Sequence, residues 1–216
     1  MTGIVDYNAG NIRSVELALI SLKTEYRISK NPLDLKDVER LIFPGVGEAK
    51  FAMTELKKTG FDSFLKDWAA SGKQLLGICL GSQILFDYSE EGDTKCLGLI
   101  HGCVRHFPLS FKESGIKVPH MGWNDITYHN GGSPLFNGIK EGTNFYFVHS
   151  YYIEPEDFSV ITATTDYGMH VPCAIKKGSI EAVQFHPEKS AGPGLQILDN
   201  FCSGSTASGN TEGRLC

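Results

Sequence analysis

The sequence predicts an α/β fold: a mostly parallel central sheet flanked by helices, followed by an antiparallel, β-rich C-terminal part. Two observations carry this. In the first hundred residues, short apolar runs alternate with stretches of helical period, as in a parallel sheet crossed by helices. Beyond residue 100, strand patterns follow one another with turn signals between them. A third feature fixes one strand end. Gly77-Ile78-Cys79-Leu80-Gly81 follows the apolar pair Leu75-Leu76, which places a thiol on a sharp strand-to-helix turn.

The elements follow in order. Gly3-Ile4-Val5-Asp6 reads as a first buried strand. Residues 11–23 have helical period, with Ile12, Val15, Leu19 and Leu22 on one face. A short strand is expected near 26–28 and a buried strand over 40–43, broken by Pro44-Gly45. Helices are expected over 49–58 and 61–71, then a strand over 73–78 and a helix over 80–88. Strands follow over 118–128, 145–152, 160–165, 173–177 and 180–185, with Lys177-Gly178-Ser179 as a hairpin turn. A helix over 194–201 closes a single domain of residues 1–202. The Ser/Gly/Thr-rich tail 203–216 is expected to be disordered.

Composition narrows the function. The chain has 216 residues, 41% hydrophobic and 21% charged, enough for a sizeable core. A net charge of −5 argues against a nucleic-acid or anionic-membrane binder. No apolar run approaches the ~20 residues of a membrane span, and the start lacks the n- and h-regions of a signal peptide. Cysteines 79, 96, 103, 173, 202 and 216 show no CxxC spacing. A reduced, cytoplasmic protein without zinc is expected.

Three motifs carry chemistry. Gly77 and Gly81 give the elbow small flanks, and the helix start behind Cys79 stabilises a thiolate. A buried structural cysteine is the alternative. His186 has Glu188 two positions on, across Pro187; a general base needs such a partner to fix its tautomer. Alone, that pair reads more readily as a surface-loop histidine beside a solvated carboxylate. The Pro44-Gly45-Val46-Gly47 segment can bring a second backbone donor to an oxyanion, or be a plain turn. His120 and His149 lack adjacent carboxylates and read as structural or substrate-lining. Trp123 is either an exposed partner anchor or a core residue. Among the seven histidines, His186 alone has that carboxylate neighbour.

These segments together resemble the class I, triad-type glutamine amidotransferases, which have a flavodoxin-like fold. More narrowly, Val5-Asp6-Tyr7 with Gly10-Asn11, Pro44–Gly47, Gly77–Gln83, Val118–Asn124, Phe145–Tyr152 and Gln184–Ser190 resemble the glutaminase subunits of imidazole glycerol phosphate synthases. The resemblance spans about residues 3 to 201. It implies Cys79 as nucleophile, His186 as base and Glu188 as its orienting acid. It implies an oxyanion hole from the Leu80 amide and the Gly45-Val46-Gly47 backbone. Gln83, Glu91, His149, Ser150 and Tyr151 would hold the amino-acid end of glutamine. Asn11, Trp123, Tyr146 and Lys189 would face a (β/α)₈ cyclase subunit, which receives the ammonia. No metal or organic cofactor is implied, and activity would stay weak until the partner engages, with reorientation of the Gly45-Val46 peptide as the switch. Two departures stand out: Asn8-Ala9 where a glycine-containing pair is commoner, and Ser82 where Met is usual. A glutaminase of another synthase, such as pyridoxal phosphate synthase, and a free-standing Cys-dependent hydrolase fit the triad as well.

Overall fold

A computed structural model of the chain describes residues 1–204. The first half builds β1 (Thr2–Val5), α1 (Ile12–Ser21), β2 (Tyr26–Ser29), β3 (Arg40–Gly45), α2 (Ala49–Thr59), α3 (Phe61–Ala70), β4 (Gln74–Cys79) and α4 (Leu80–Gln83). Then come β5 (Tyr88–Ser89), β6 (Thr94–Lys95), β7 (Gly102–His106), α5 (Ser110–Glu113), β8 (His120–Asp125), β9 (Thr127–Tyr128), β10 (Asn144–His149), β11 (Tyr151–Pro155), β12 (Ile161–Asp166), β13 (His170–Lys177), β14 (Ile180–Val183) and α6 (Ala191–Ser203).

The main sheet runs β2-β1-β3-β4-β14-β13-β12-β9. Its first five strands are parallel and the rest antiparallel. β1, β3, β4 and β14 are buried along almost their whole length because both their faces are covered, whereas the edge strand β2 is half-buried. Successive residues point to opposite faces, and the core divides accordingly. Val5, Leu41, Phe43 and Leu75 pack with α2 and α3, through Ala52, Leu56, Leu65 and Trp68. Ile4, Ile42, Leu76 and Val183 pack with α1 and α6, through Val15, Leu19, Ile197 and Phe201. The predicted sheet, parallel then antiparallel, is therefore present.

Several boundaries differ from expectation, each for a physical reason. The helix expected over 80–88 ends at Gln83. The carbonyls of Ile84, Leu85 and Phe86 accept from the amides of Leu97, Gly98, Leu99 and Ile100. A distant segment thus claims the acceptors that would have continued the helix. β3 is not broken at Pro44 but runs to Gly45, pairing Pro44 with Ile78 and Gly45 with Cys79. Its pairing with β1 has already ended at Ile42, so the missing proline N–H interrupts no ladder on that side. The single strand expected over 145–152 is two strands in different sheets. β10 pairs with β8, whereas β11 joins the sheet β11-β7-β5-β6. The change of sheet falls at Ser150, whose carbonyl accepts from Phe107 N–H. Finally, α6 runs to Ser203 and Gly204 follows it in the left-handed conformation, so 203 and 204 belong to the helix end. The rest of the expected disordered tail lies outside the described residues.

Candidate active site

Three strand ends converge at the carboxyl edge of the parallel sheet, where ligands of open α/β folds bind. Gly45 of β3 pairs with Cys79 of β4, and Val183 of β14 pairs with Ile78. His186 follows Val183 by three residues, so the imidazole falls beside the thiol by register alone.

Cys79 sits at the turn with φ +54° and ψ −113°, a region unfavourable for any L side chain at roughly 1–3 kcal/mol. Close packing holds it there. A Cβ on Gly81 would collide with the carbonyl oxygen of Phe43, and one on Gly77 would stand 3.0 Å from the Gly81 oxygen. Ser82, one of the two departures, donates its hydroxyl to the Cys79 carbonyl at 2.6 Å. Because α4 is one turn long, any help to a thiolate comes from its local amides rather than a long helix dipole.

His186 Nδ1–H donates to Glu188 Oε1 at 2.8 Å, with both side chains almost completely buried. His186 Nε2 is buried without an aligned hydrogen-bond partner among the described residues and looks toward Cys79, whose charge acts on the ring. Burial works against protonation of this imidazole, but Cys79 and then Glu188 outweigh it and raise its pKa well above the ordinary histidine value. The imidazole is thereby kept protonated beside the sulfur. The loop bearing it is clamped to β10. His186 N–H donates to Tyr146 O, Tyr146 N–H donates to Ser190 Oγ, and that hydroxyl donates to His186 O.

The pocket above the thiol has a volume of about 340 Å³ and is lined by Val46, Gly47, Leu80, Gln83, Glu91, His149, Ser150, Tyr151, His186 and Lys189 among others. Every residue expected to hold the amino-acid end of a substrate is therefore in one place. A wider neighbouring groove shares Pro119 and Ser150 but has no thiol in its lining. Gln83 is tied down by its amide nitrogen, which donates to Tyr151 O at 3.0 Å and to Gln184 Oε1 at 2.8 Å. Glu91 accepts from Ala49 N–H at 2.8 Å, which links the pocket to the start of α2. Its pKa is raised, chiefly by burial. His149 Nδ1–H donates to Tyr151 O, and its Nε2 accepts from His120 Nδ1 at 3.1 Å. Burial lowers the pKa of His149 to about 3 and that of His120 to about 4, so both are neutral.

Of the residues expected at a partner surface, Trp123 and Tyr146 are brought together. Trp123 is 55% exposed and meets Tyr146 edge-on at 6.1 Å across the β8–β10 pair. This decides for exposure over core. Lys189 is exposed beside the triad loop, and Asn11 is half-buried at the start of α1. Asn8, the other departure, has φ +66°. That is the left-handed region, where Asn is the usual substitute for glycine. Its side chain donates to Glu55 and accepts from Lys30.

Two buried groups escaped the sequence reading. Tyr7 hydroxyl is buried, close to Gly45 and without a hydrogen-bond partner among the described residues; burial foremost, then the Cys79 charge, raises its pKa. Gln184 is fully buried, with its amide nitrogen 3.7 Å from Cys79 Sγ. Alternation marks Gln184 in retrospect, since residues 184 and 186 project to the same side of an extended chain.

A cysteine elbow, a histidine–carboxylate pair after a parallel strand, and a sheet of this order define a triad-type amidotransferase. The chain belongs to that family: the model for Glutamine amidotransferase class-I matches residues 4–204. Among individual proteins, it is 46% identical over 203 residues to the imidazole glycerol phosphate synthase subunit HisH of Halalkalibacterium halodurans, covering 93% of this chain and 94% of that one. It is likewise 46% identical over 212 residues to the subunit of the same name from Geobacillus kaustophilus, covering 97% and 100%. A solved glutamine amidotransferase shares the fold with a TM-score of 0.71 at 19% identity, covering 92% of this chain and 97% of its own. PurLQS from Thermotoga maritima does so at 0.67 and 18%, covering 94% and 97%. Among the described residues, no helix is long and apolar enough to cross a membrane.

Proposed function

We propose that this chain is the glutaminase subunit of an imidazole glycerol phosphate synthase. It hydrolyses L-glutamine to L-glutamate and ammonia with Cys79 as nucleophile, His186 as base and Glu188 as its orienting acid. The observation that carries the reading is the buried pair His186–Glu188 at 2.8 Å, with the free Nε2 turned to a thiol on a strained elbow. The Cys79 thiolate attacks the side-chain carboxamide carbon. The Leu80 amide and the Gly45-Val46-Gly47 backbone take up the developing oxyanion charge, a term worth ~10²–10³ in rate per donor. His186 gives its proton to the departing ammonia and leaves a glutamyl thioester. The same imidazole then takes a proton from water, which releases glutamate and restores the thiolate. The covalent work rests on sulfur, so no cofactor enters.

Gln83, Glu91, His149, Ser150 and Tyr151 hold the amino-acid end of glutamine. Asn11, Trp123, Tyr146 and Lys189 meet a (β/α)₈ cyclase subunit in a cytoplasmic heterodimer. Ammonia passes to that partner, where imidazole glycerol phosphate and an aminoimidazole carboxamide nucleotide form, a step of histidine biosynthesis. The reading is supported by the clamp between β10 and the triad loop, which joins the Trp123–Tyr146 surface to His186. The test is glutamate release with the cyclase and its nucleotide ligand, with the cyclase alone, and without either. The expected rates rise in the reverse of that order. Three equal rates contradict partner gating, and no imidazole product from glutamine contradicts the synthase assignment.

A further inference from the structure

Gln184 has no part in the triad, yet its carboxamide touches the attacking atom. Its orientation follows from donor and acceptor counting. The Tyr151 carbonyl can only accept, so the end of the Gln83 side chain that faces it at 3.0 Å is the NH₂. The same nitrogen faces Gln184 at 2.8 Å, so the Gln184 atom there is the carbonyl oxygen. The NH₂ of Gln184 is thereby left pointing at Cys79 Sγ, 3.7 Å away. The Tyr151 carbonyl is itself fixed by His149 Nδ1–H at 2.8 Å, and the Gln184 backbone by its N–H to Cys173 O at 2.8 Å. Gln184 is fully buried, so no water competes for the sulfur from this side.

An N–H aimed at sulfur discriminates between the two states of the thiol. It donates to a thiolate, and a thiolate accepts hydrogen bonds far better than a neutral thiol. It also leaves the proton of a neutral thiol nowhere to go on this side, so that proton must face His186. We propose that Gln184 is a positioning residue of the nucleophile: its carboxamide N–H, locked by Gln83 and Tyr151, holds the Cys79 sulfur as a thiolate turned toward His186. This deepens the glutaminase reading and rests on it for its meaning, but its test needs neither glutamine nor a partner.

The test is alkylation of Cys79 by iodoacetamide in the full chain, followed on the Cys79 peptide by mass spectrometry at about pH 7 and about pH 9.5. The titratable groups facing the sulfur are His186 and Tyr7, with Glu188 behind His186; Glu91, His149, Tyr151 and Lys189 line the same pocket. All of them are unchanged in the variants. Gln184→Glu is nearly isosteric and keeps an acceptor for Gln83, but it replaces N–H toward sulfur with a carboxylate oxygen. Its alkylation is expected to slow about tenfold or more at the lower pH, the scale of one hydrogen bond to an ionised group, and to approach the unsubstituted protein at the higher pH. Gln184→Met, which keeps the shape without the donor, is expected to slow less but with the same pH dependence.

A residue that merely fills space would slow both variants equally at both pH values. That result overturns the proposal, and so does alkylation of Gln184→Glu within twofold of the unsubstituted protein at about pH 7. If Gln184→Glu does not fold, Gln184→Met decides alone: equal slowing at the two pH values, or alkylation within twofold of the unsubstituted protein at about pH 7, overturns the proposal. Failure of the unsubstituted chain to release glutamate with its cyclase would sink the glutaminase reading and would appear in a different assay.

Discussion

Replacing Glu188 by Gln isolates the role of charge behind the imidazole. The substitution keeps shape and leaves an oxygen able to accept from His186 Nδ1–H, but removes the negative charge. In this site that charge is not diluted by water, since the two side chains are 2% and 1% exposed. A buried hydrogen bond with one ionised partner is worth about 1.5–3 kcal/mol, and one pKa unit corresponds to 1.36 kcal/mol. Losing it lowers the His186 pKa by roughly one to two units and shrinks the thiolate–imidazolium population. Because 1.36 kcal/mol is also tenfold in rate, kcat/KM for glutamine should fall about 10- to 200-fold, with KM little changed. The assay is glutamate release in the presence of the cyclase and its ligand. A fall of less than about threefold would refute the claim that this carboxylate sustains the pair. An equal loss in KM and none in kcat would instead make Glu188 a binding residue.

Three further outcomes follow from the same geometry. Gly81→Ala forces a Cβ into the Phe43 carbonyl, so it should abolish Cys79 alkylation at neutral pH and cost at least about 2 kcal/mol by urea denaturation; near-unchanged values would show the elbow to be loose. Trp123→Ala leaves the core intact, because the ring is largely exposed. Stability should stay within about 0.5 kcal/mol, while affinity for the cyclase, measured by titration calorimetry, drops about 30-fold or more if the ring is an anchor. Acid should destabilise the fold through His120 and His149. Their folded pKa values, about 4 and about 3, lie below the ordinary histidine value, so the unfolded chain binds more protons as pH falls below about 6.5. Each histidine then contributes a slope near 1.4 kcal/mol per pH unit between about pH 6 and 4.5. His186 is raised instead and is protonated in both states there, adding no slope. His149→Gln should flatten the pH dependence of the denaturation midpoint, and an unaltered slope would count against burial of a neutral pair.

The cluster of Cys79, His186 and Glu188 was legible because its signals are local. Two glycines around Cys79, and a carboxylate two residues beyond His186, can be read without knowing what packs where. The inner parallel strands were legible for a related reason: being covered on both faces, they hold uncharged, mostly apolar runs, as over residues 3–5 and 75–79. What escaped the sequence depends on partners far along the chain. Residues 80–88 have good helical period, yet residues 97–100 take the carbonyls that a longer helix would use. The split of 145–152 at Ser150 depends on Phe107, about forty positions earlier. Trp123 could not be assigned by spacing, since its strand buries His120 on one face and exposes Met121 and Trp123 on the other. The role of Gln184 is not legible in its own motif, because it comes from Gln83, about a hundred residues away, and from a backbone carbonyl beside it.

The central claim is that sulfur 79 bonds covalently to the carbon of the glutamine side chain. Acid-quenched protein, mixed with glutamine in the presence of the cyclase and its ligand, tests this by peptide mass spectrometry. A glutamyl adduct on the Cys79 peptide, lost in Cys79→Ala together with glutamate release, is the predicted result. Glutamate released by Cys79→Ala at the rate of the unsubstituted chain would contradict it.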